Sequence, residues 1–337
     1  MRIAIVGESL IDFTATGPLA FQGHEGGGPS NCAVAAARLG QATGYISQLS
    51  RDLFGERLHA YLQANGVDLR FVLRSEAPST LAFVERTPTS NHYAFYMQGT
   101  ADTLWAPAQL PELPQSCRFL QFGSIALLQE PAASRIVDLV RAERGRRIVV
   151  FDPNARPTLV RDAQDYRARC QGWLALADLV KLSDEDLAYI LPGLPTDEAA
   201  AAVLALGPRA VVLTRGGQGA TLYRAGQVPL TVSAPVVHVV DTIAAGDTFG
   251  AALMVGLLEQ GVERAGQLGA ELVAELATGS AEHSPEADAA DAPPVLSDEA
   301  WRTVLGFAAM AAALNCTRAG ASPPTRAELD MALARPE

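Results

Sequence analysis

Val239-Val240-Asp241-Thr242-Ile243-Ala244-Ala245-Gly246-Asp247-Thr248-Phe249-Gly250-Ala251-Ala252-Leu253 is the stretch whose reading organises the rest of the chain. The β-formers of Pro235–Val240 predict a strand, small residues follow it, and an apolar helix is expected from near Gly246. Phe249, Leu253 and Leu257 fall at i, i+4 and i+8, on one helix face. A turn of small side chains opening a helix leaves backbone N–H groups free, and the macrodipole there favours an anion such as a phosphate. Asp247 stands at the same point, where a carboxylate can take a proton from a hydroxyl. Alone, it would read more plainly as a helix cap.

Two other segments bear on that choice. Gly26-Gly27-Gly28-Pro29-Ser30-Asn31-Cys32-Ala33 places three glycines before a helix, with Pro29 and Ser30 suited to its first turn. Val212-Leu213-Thr214-Arg215-Gly216-Gly217-Gln218-Gly219-Ala220 reads as a strand end, a Gly-rich turn and a returning strand. Either glycine run is also compatible with an ordinary turn or hairpin. Neither is a Walker A loop, because G-x-x-x-x-G-K-[ST] does not occur.

Outward from these segments, short apolar runs alternate with helical stretches. Ile3–Val6, Tyr45–Ile46, Phe119–Phe122, Ile148–Phe151, Leu179–Leu182 and Val211–Leu213 read as strands buried on both faces. Ala33–Leu39, Arg57–Gln63, Ala132–Glu143, Tyr166–Ala175 and Glu198–Leu206 read as helices. That alternation predicts a single three-layer α/β/α domain over residues 1–337, with a mainly parallel sheet and ligands at its carboxyl edge. Phe13–Gly23 and Leu81–Met97 break the pattern with β-formers around turn residues, and are expected as extra antiparallel strands. Spacing alone leaves them as a decorated sheet edge or a flap. Residues 278–295, rich in Ala, Ser, Pro and acidic residues, read as a mobile insertion.

Composition narrows the class. The chain has 337 residues, 49% hydrophobic and 19% charged, which suits a globular domain with a large core. A formal charge of -11 argues against general binding to nucleic acid or anionic membrane, though local donors can still hold a nucleotide. Cys32, Cys117, Cys170 and Cys316 form neither a C-x-x-C pair nor a zinc pattern, which fits a reduced cytoplasm. The apolar stretch Val304–Leu314 is far shorter than the roughly 20 residues of a membrane span. The five histidines are scattered, so no metal site or Ser-His-Asp triad is indicated. Trp105, Trp173 and Trp301 read as core or interface residues, and Asp102 as structural.

Taken together, the motifs resemble the ribokinase-like, or pfkB, carbohydrate kinases over essentially the whole chain. The resemblance is carried by Gly7-Glu8 followed by Asp12, by Gly27-Gly28-Pro29-Ser30-Asn31, and by Asp241-Thr242 to Gly246-Asp247. The two glycine/aspartate signatures stand in order, about 215 residues apart. Phe151-Asp152-Pro153-Asn154 with Arg156, Lys181-Leu182-Ser183-Asp184-Glu185, Gly123-Ser124-Ile125-Ala126-Leu127 and Cys316-Thr317-Arg318-Ala319-Gly320-Ala321 look most like the bacterial fructokinase branch.

The resemblance implies an ATP-dependent kinase acting on a sugar, with D-fructose and its O6 as the leading acceptor. It implies that Asp247 is the catalytic base and that the amides of Ala244, Ala245 and Gly246 form an anion hole. Asp12, Gly27, Gly28, Asn31 and Arg156 would bind the sugar, while Thr214, Gly216, Gly219 and Lys181 would serve the nucleotide. The extra strands become a lid, within residues 12–25 and 80–98, which excludes water from ATP and could pair with another subunit's lid in a homodimer. His92 and Tyr93 lie in that lid. Two departures stand out. The usual G-A-G-D anion hole reads Ala244-Ala245-Gly246-Asp247, so a positive φ at Ala244 would introduce strain. The N-x-x-E pattern linked to Mg²⁺ reads Ser183-Asp184-Glu185-Asp186, leaving Glu185 and Asp186 as water-mediated ligands. Asp241 is the implied anchor of a K⁺ site. Rival readings are a 2-keto-3-deoxygluconate kinase, which would want a second cation such as Arg86, a nucleoside kinase, and a sugar-binding regulator without catalysis.

Overall fold

The computed structural model describes residues 1–86, 91–269 and 294–334. Nine strands form one sheet, β1 (Ile3–Val6), β4 (Thr43–Ser50), β5 (Asp68–Ser75), β8 (Phe119–Gly123), β9 (Ile148–Asp152), β10 (Leu179–Ser183), β11 (Ala210–Thr214), β12 (Ala220–Arg224) and β13 (Leu230–Val232). Their order is β13-β12-β11-β10-β9-β8-β1-β4-β5. All neighbours pair in parallel except β12 with β11 and with β13 at one edge. The six expected main-sheet strands and five expected helices all form.

Strict alternation along the strands sorts the core into two layers. Ile3, Ile5, Phe119, Val150 and Val212 point to the face covered by α1 (Gly28–Arg38), α2 (Leu53–Ala64), α7 (Ala245–Glu259) and α8 (Asp298–Cys316). Ala4, Val6, Phe122, Phe151 and Leu213 point to the other face, under α3 (Ala132–Glu143), α4 (Ala163–Leu174), α5 (Asp184–Ile190) and α6 (Thr196–Ala205). Burial on both faces is why these strands read as continuous apolar runs. A last helix, α9 (Arg326–Leu333), packs Leu329 into the first layer. Trp105, Trp173 and Trp301 are buried in these layers. No described helix is long and apolar enough to cross a membrane.

The sheet order reverses at β1, whose neighbours are β4 on one side and β8 on the other. Crossovers leave in opposite directions from such a point, so a crevice opens at the strands' carboxyl ends. Over it stands a second sheet, β3-β2-β6-β7, formed by β2 (Leu10–Gly17), β3 (Ala20–Gly26), β6 (Thr80–Arg86) and β7 (Asn91–Tyr96). The two irregular stretches thus form one small sheet. It is not wholly antiparallel, since β2 and β6 run parallel with Asp12 opposite Ala82. Leu10, Ala82, Met97 and Ile125 form the apolar seam joining this sheet to the body.

Two expectations fare differently. Pro235–Val240 is not a strand: residues 233–239 have no regular structure, and Val236, Val239 and Val240 are more than half exposed. Pro235 lacks a ladder N–H, and the sheet edge is already occupied by Leu230–Val232. The expected insertion at 278–295 lies outside the described residues apart from its last two positions, as do the side chains of Arg86, His92 and Tyr93.

Candidate active site

Asp247 enters the crevice on the first turn of α7. Ala244 caps that helix with φ 59° and ψ 13°, in the left-handed region. The strain foreseen for an alanine at this position is therefore present. The amide of Ala245 closes a turn onto the Thr242 carbonyl at 3.2 Å, so the expected trio of free donors is altered. Among the described residues, the amides of Ala244, Gly246 and Asp247 have no backbone acceptor, as the first turn of a helix requires. Asp247 does not cap the helix. Its Oδ2 accepts instead from Asn31 Nδ2 at 3.0 Å.

That bond joins α7 to α1, whose first residues follow the glycine run. Gly27 caps α1 with φ 100°, and a Cβ there would lie 2.8 Å from the Glu8 carbonyl. A Cβ on Gly28 would lie 2.6 Å from Asn154 Nδ2 and 3.3 Å from Asp247 Oδ1. Only glycine lets these chains meet. Asn31 Oδ1 is buried and, among the described residues, has no partner. Such an acceptor can take a hydrogen bond from a ligand hydroxyl.

Asp12, Gly27, Gly28, Asn31, Arg156 and Lys181 line one cavity of about 440 Å³ together with residues 244–247. Thr14, Val84 and Phe95 of the small sheet roof it, which makes that sheet a lid over the crevice. Three carboxyl groups face the cavity. Burial pushes Glu8 up to about 8. It pushes Asp12 up to about 6, Arg156 pulling down and Asp247 pushing up. Burial also raises Asp247, against the pull of Asn31, Lys181 and Arg156. A carboxylate whose basicity is raised, yet held in place by an amide, suits a proton acceptor.

A second cavity of about 390 Å³ shares Asn154, Arg156 and Lys181 with the first, and is lined further by Asp184, Glu185, Thr214 and Gly216. A third, of about 430 Å³ and mainly apolar, lies between Gly219, Pro235–Val237 and the end of α8. Thr242 and Gly246 line all three, so they form one continuous cleft. Its polar end suits a polyol, its middle an anion, and its apolar end a flat aromatic ring. The exposed valines that failed to form a strand are a wall of that last compartment.

The two acidic ligand candidates separate. Glu185 is exposed in the first turn of α5, beside Asp184. Asp186 is 7% exposed and fully engaged: Oδ1 accepts from the Ala155 amide at 2.8 Å, and Oδ2 from the Ser183 amide and hydroxyl at 2.9 and 2.7 Å. Asp186 is thus part of a capping box that also ties down the loop carrying Arg156. Exposed Asp184 and Glu185 fit a hydrated Mg²⁺, whereas Asp186, which lines the same cavity, is held by donors within the protein. Asp241 lines none of the three cavities. Its oxygens accept from the amides of Thr242, Ile243 and Gly320, which fixes the loop.

Glu8, Ser124, Asp152 and Asn154 also reach the site, although no role for them follows from the motifs alone. Glu8 Oε1 accepts from the Ser124 hydroxyl at 2.7 Å, and its Oε2 from the Ala126 amide at 3.1 Å. Ser124 and Asn154 both have positive φ. The signal available was their place in Gly7-Glu8, Gly123-Ser124 and Phe151-Asp152-Pro153-Asn154, each at the end of an apolar run.

The pfkB family carbohydrate kinase model matches residues 2–286. A fructokinase from Rhizobium leguminosarum bv. trifolii is 38% identical over 261 residues, 76% of this chain and 79% of its own length. A fructokinase from Klebsiella pneumoniae is 33% identical over 273 residues, 77% and 86% of the two lengths. The crystal structure of a fructokinase with bound ATP from Xylella fastidiosa superposes with a TM-score of 0.80 at 27% identity, covering 99% of both chains. With its two signatures joined in one cleft and the family model matching most of its length, the chain belongs to the pfkB family of carbohydrate kinases.

Proposed function

We propose that this carbohydrate kinase transfers the γ-phosphoryl group of ATP to O6 of D-fructose. The observation that carries the choice of sugar is the charge of the acceptor cavity. Asp12 and Asp247, beside a Glu8 that burial keeps largely protonated, face it against Arg156 and a Lys181 already paired with Asp152. A neutral polyol offers hydroxyl donors to such a wall, whereas a sugar acid would add a further carboxylate. The naming of relatives up to 38% identical as fructokinases supports the same acceptor.

In this reading Asp12 and Asn31 Oδ1 accept from sugar hydroxyls and orient the acceptor oxygen towards Asp247. Asp247 takes its proton as the oxygen–phosphorus bond forms and the bond to the ADP oxygen breaks. The amides at the head of α7 offset the charge on the phosphoryl oxygens. Mg²⁺ bound through water at Asp184 and Glu185 would offset the charge of the nucleotide phosphates. The lid residues Val84 and Phe95 exclude water, protecting ATP from hydrolysis. The lid's outer face leaves Phe21 and Tyr96 exposed, which supports pairing of two lids in a dimer, testable by sedimentation.

The test is coupled ADP release with fructose, ribose, glucose, 2-keto-3-deoxygluconate and adenosine in turn. Turnover strongest on fructose is expected. Preference for the sugar acid would replace the proposed acceptor, and sugar binding without turnover would favour a regulator.

A further inference from the structure

Of the 26 lysine and arginine residues in the chain, only Lys181 is a lysine. At every other basic position arginine stands, yet the one lysine lies near the centre of the cleft. It is carried by the buried strand β10 and is 5% exposed. Its Nζ donates to Asp152 Oδ2 at 2.9 Å, and Asp152 is itself 4% exposed.

The ammonium points to the head of α7. A Cβ built on Gly246 would lie 3.1 Å from Lys181 Nζ, so the cation sits beside the free amides there. Lys181 lines both the acceptor cavity and the anionic middle compartment. Burial works against its charge, but Asp152, Asp247 and Asp186 hold its pKa above the ordinary lysine value. Its neighbours thus favour the ammonium form.

A buried ion pair is weak evidence of stabilisation, because desolvating two charges offsets most of their attraction. Among the described residues Asp152 Oδ1 has no hydrogen-bond partner, so the pair is not fully satisfied there. A compact, rotatable ammonium presents one point charge, whereas a guanidinium would present a planar fork.

We propose that Lys181 is a catalytic residue whose ammonium contacts the phosphoryl group in flight between the nucleotide and acceptor compartments, with Asp152 as the residue that positions it. The oxygen–phosphorus bond to the sugar forms as the bond to the ADP oxygen breaks. The hydroxyl proton goes to Asp247, and Lys181 keeps its own proton throughout. Because charge on the phosphoryl oxygens is redistributed in the transition state, the contact acts on kcat more than on binding.

This inference rests on the kinase reading but not on which sugar is used, and the assay is run on whichever panel sugar the wild type turns over. Lys181→Met alone leaves Asp152 buried without its counterion and is expected to lose stability as well as activity. The decisive variant is Asp152→Asn with Lys181→Met, which removes both charges. It is expected to fold and to bind sugar and ADP within about threefold of wild type, with kcat about 100-fold lower. Lys181→Arg, which keeps the charge but not its shape, is expected to fold and also to lose at least about tenfold in kcat. Recovery of near wild-type kcat by the double variant would show that Lys181 only neutralises Asp152, and would overturn the proposal. Full activity of Lys181→Arg would equally contradict the argument from shape.

Discussion

Asn31 Nδ2 donates to Asp247 Oδ2 at 3.0 Å, joining the starts of two helices that lie 216 residues apart in sequence. The bond fixes the carboxylate that faces the cavity and leaves Asn31 Oδ1 as a buried acceptor without a partner among the described residues. Asn31→Ala removes both. It is expected to raise the sugar KM about tenfold, one hydrogen bond's worth, and to lower kcat by freeing the Asp247 carboxylate. Steady-state kinetics would check this, and unchanged KM and kcat would remove Asn31 from the site.

Ala244 is the N-cap of the same helix, held at φ 59°. A left-handed alanine costs about 1–2 kcal/mol, and glycine gives back part of that through its freer unfolded chain. Ala244→Gly should therefore stabilise the enzyme by about 0.5–1 kcal/mol while keeping kcat. Thermal unfolding reads the first and turnover the second.

Asp12 gives a pH signature. Its folded pKa of about 6 lies above the roughly 4 of an unfolded aspartate. The native state therefore binds the proton more tightly than the unfolded one. That contribution to stability is fully present below about pH 4 and is lost as pH rises through 6. Asp12→Asn should raise the melting temperature of the ligand-free protein at pH 8, an effect of order 2 kcal/mol, and change it little at pH 4. The same variant should weaken sugar binding, since an acceptor facing the cavity is lost.

Asp186 is engaged by three donors from two segments, among them the Ala155 amide next to Arg156. Asp186→Ala should destabilise the protein by about 3 kcal/mol through the lost cap and the stranded amides. It should also raise the sugar KM as the Arg156 loop loosens, while the Mg²⁺ concentration dependence stays put. A large shift in Mg²⁺ dependence would return Asp186 to the metal.

The main sheet was legible because its strands are buried on both faces: Ile3 and Ile5 point into one core layer, Ala4 and Val6 into the other. The site was legible where glycine is unavoidable, as at Gly27 and Gly28. Pro235–Val240 misled because a row of β-formers looks the same whether it pairs with a strand or walls an apolar cleft. The parallel pairing of β2 with β6 was hidden because local spacing says nothing of which distant strand comes alongside. Positive φ at Ser124 is imposed by the surrounding fold and its residue type does not announce it, whereas Asn154 is of a type that tolerates that region. The engagement of Asp186 was hidden for a similar reason, since a capping box and an acidic metal ligand share the same residues.

The most direct measurement is ADP release with MgATP and fructose by the wild type and Asp247→Asn side by side, with fructose affinity measured on both. The account predicts turnover by the wild type, a loss of at least about 10³-fold in the variant, and fructose binding little changed. A variant within tenfold of wild type, or a wild type that binds fructose without releasing ADP, would contradict it.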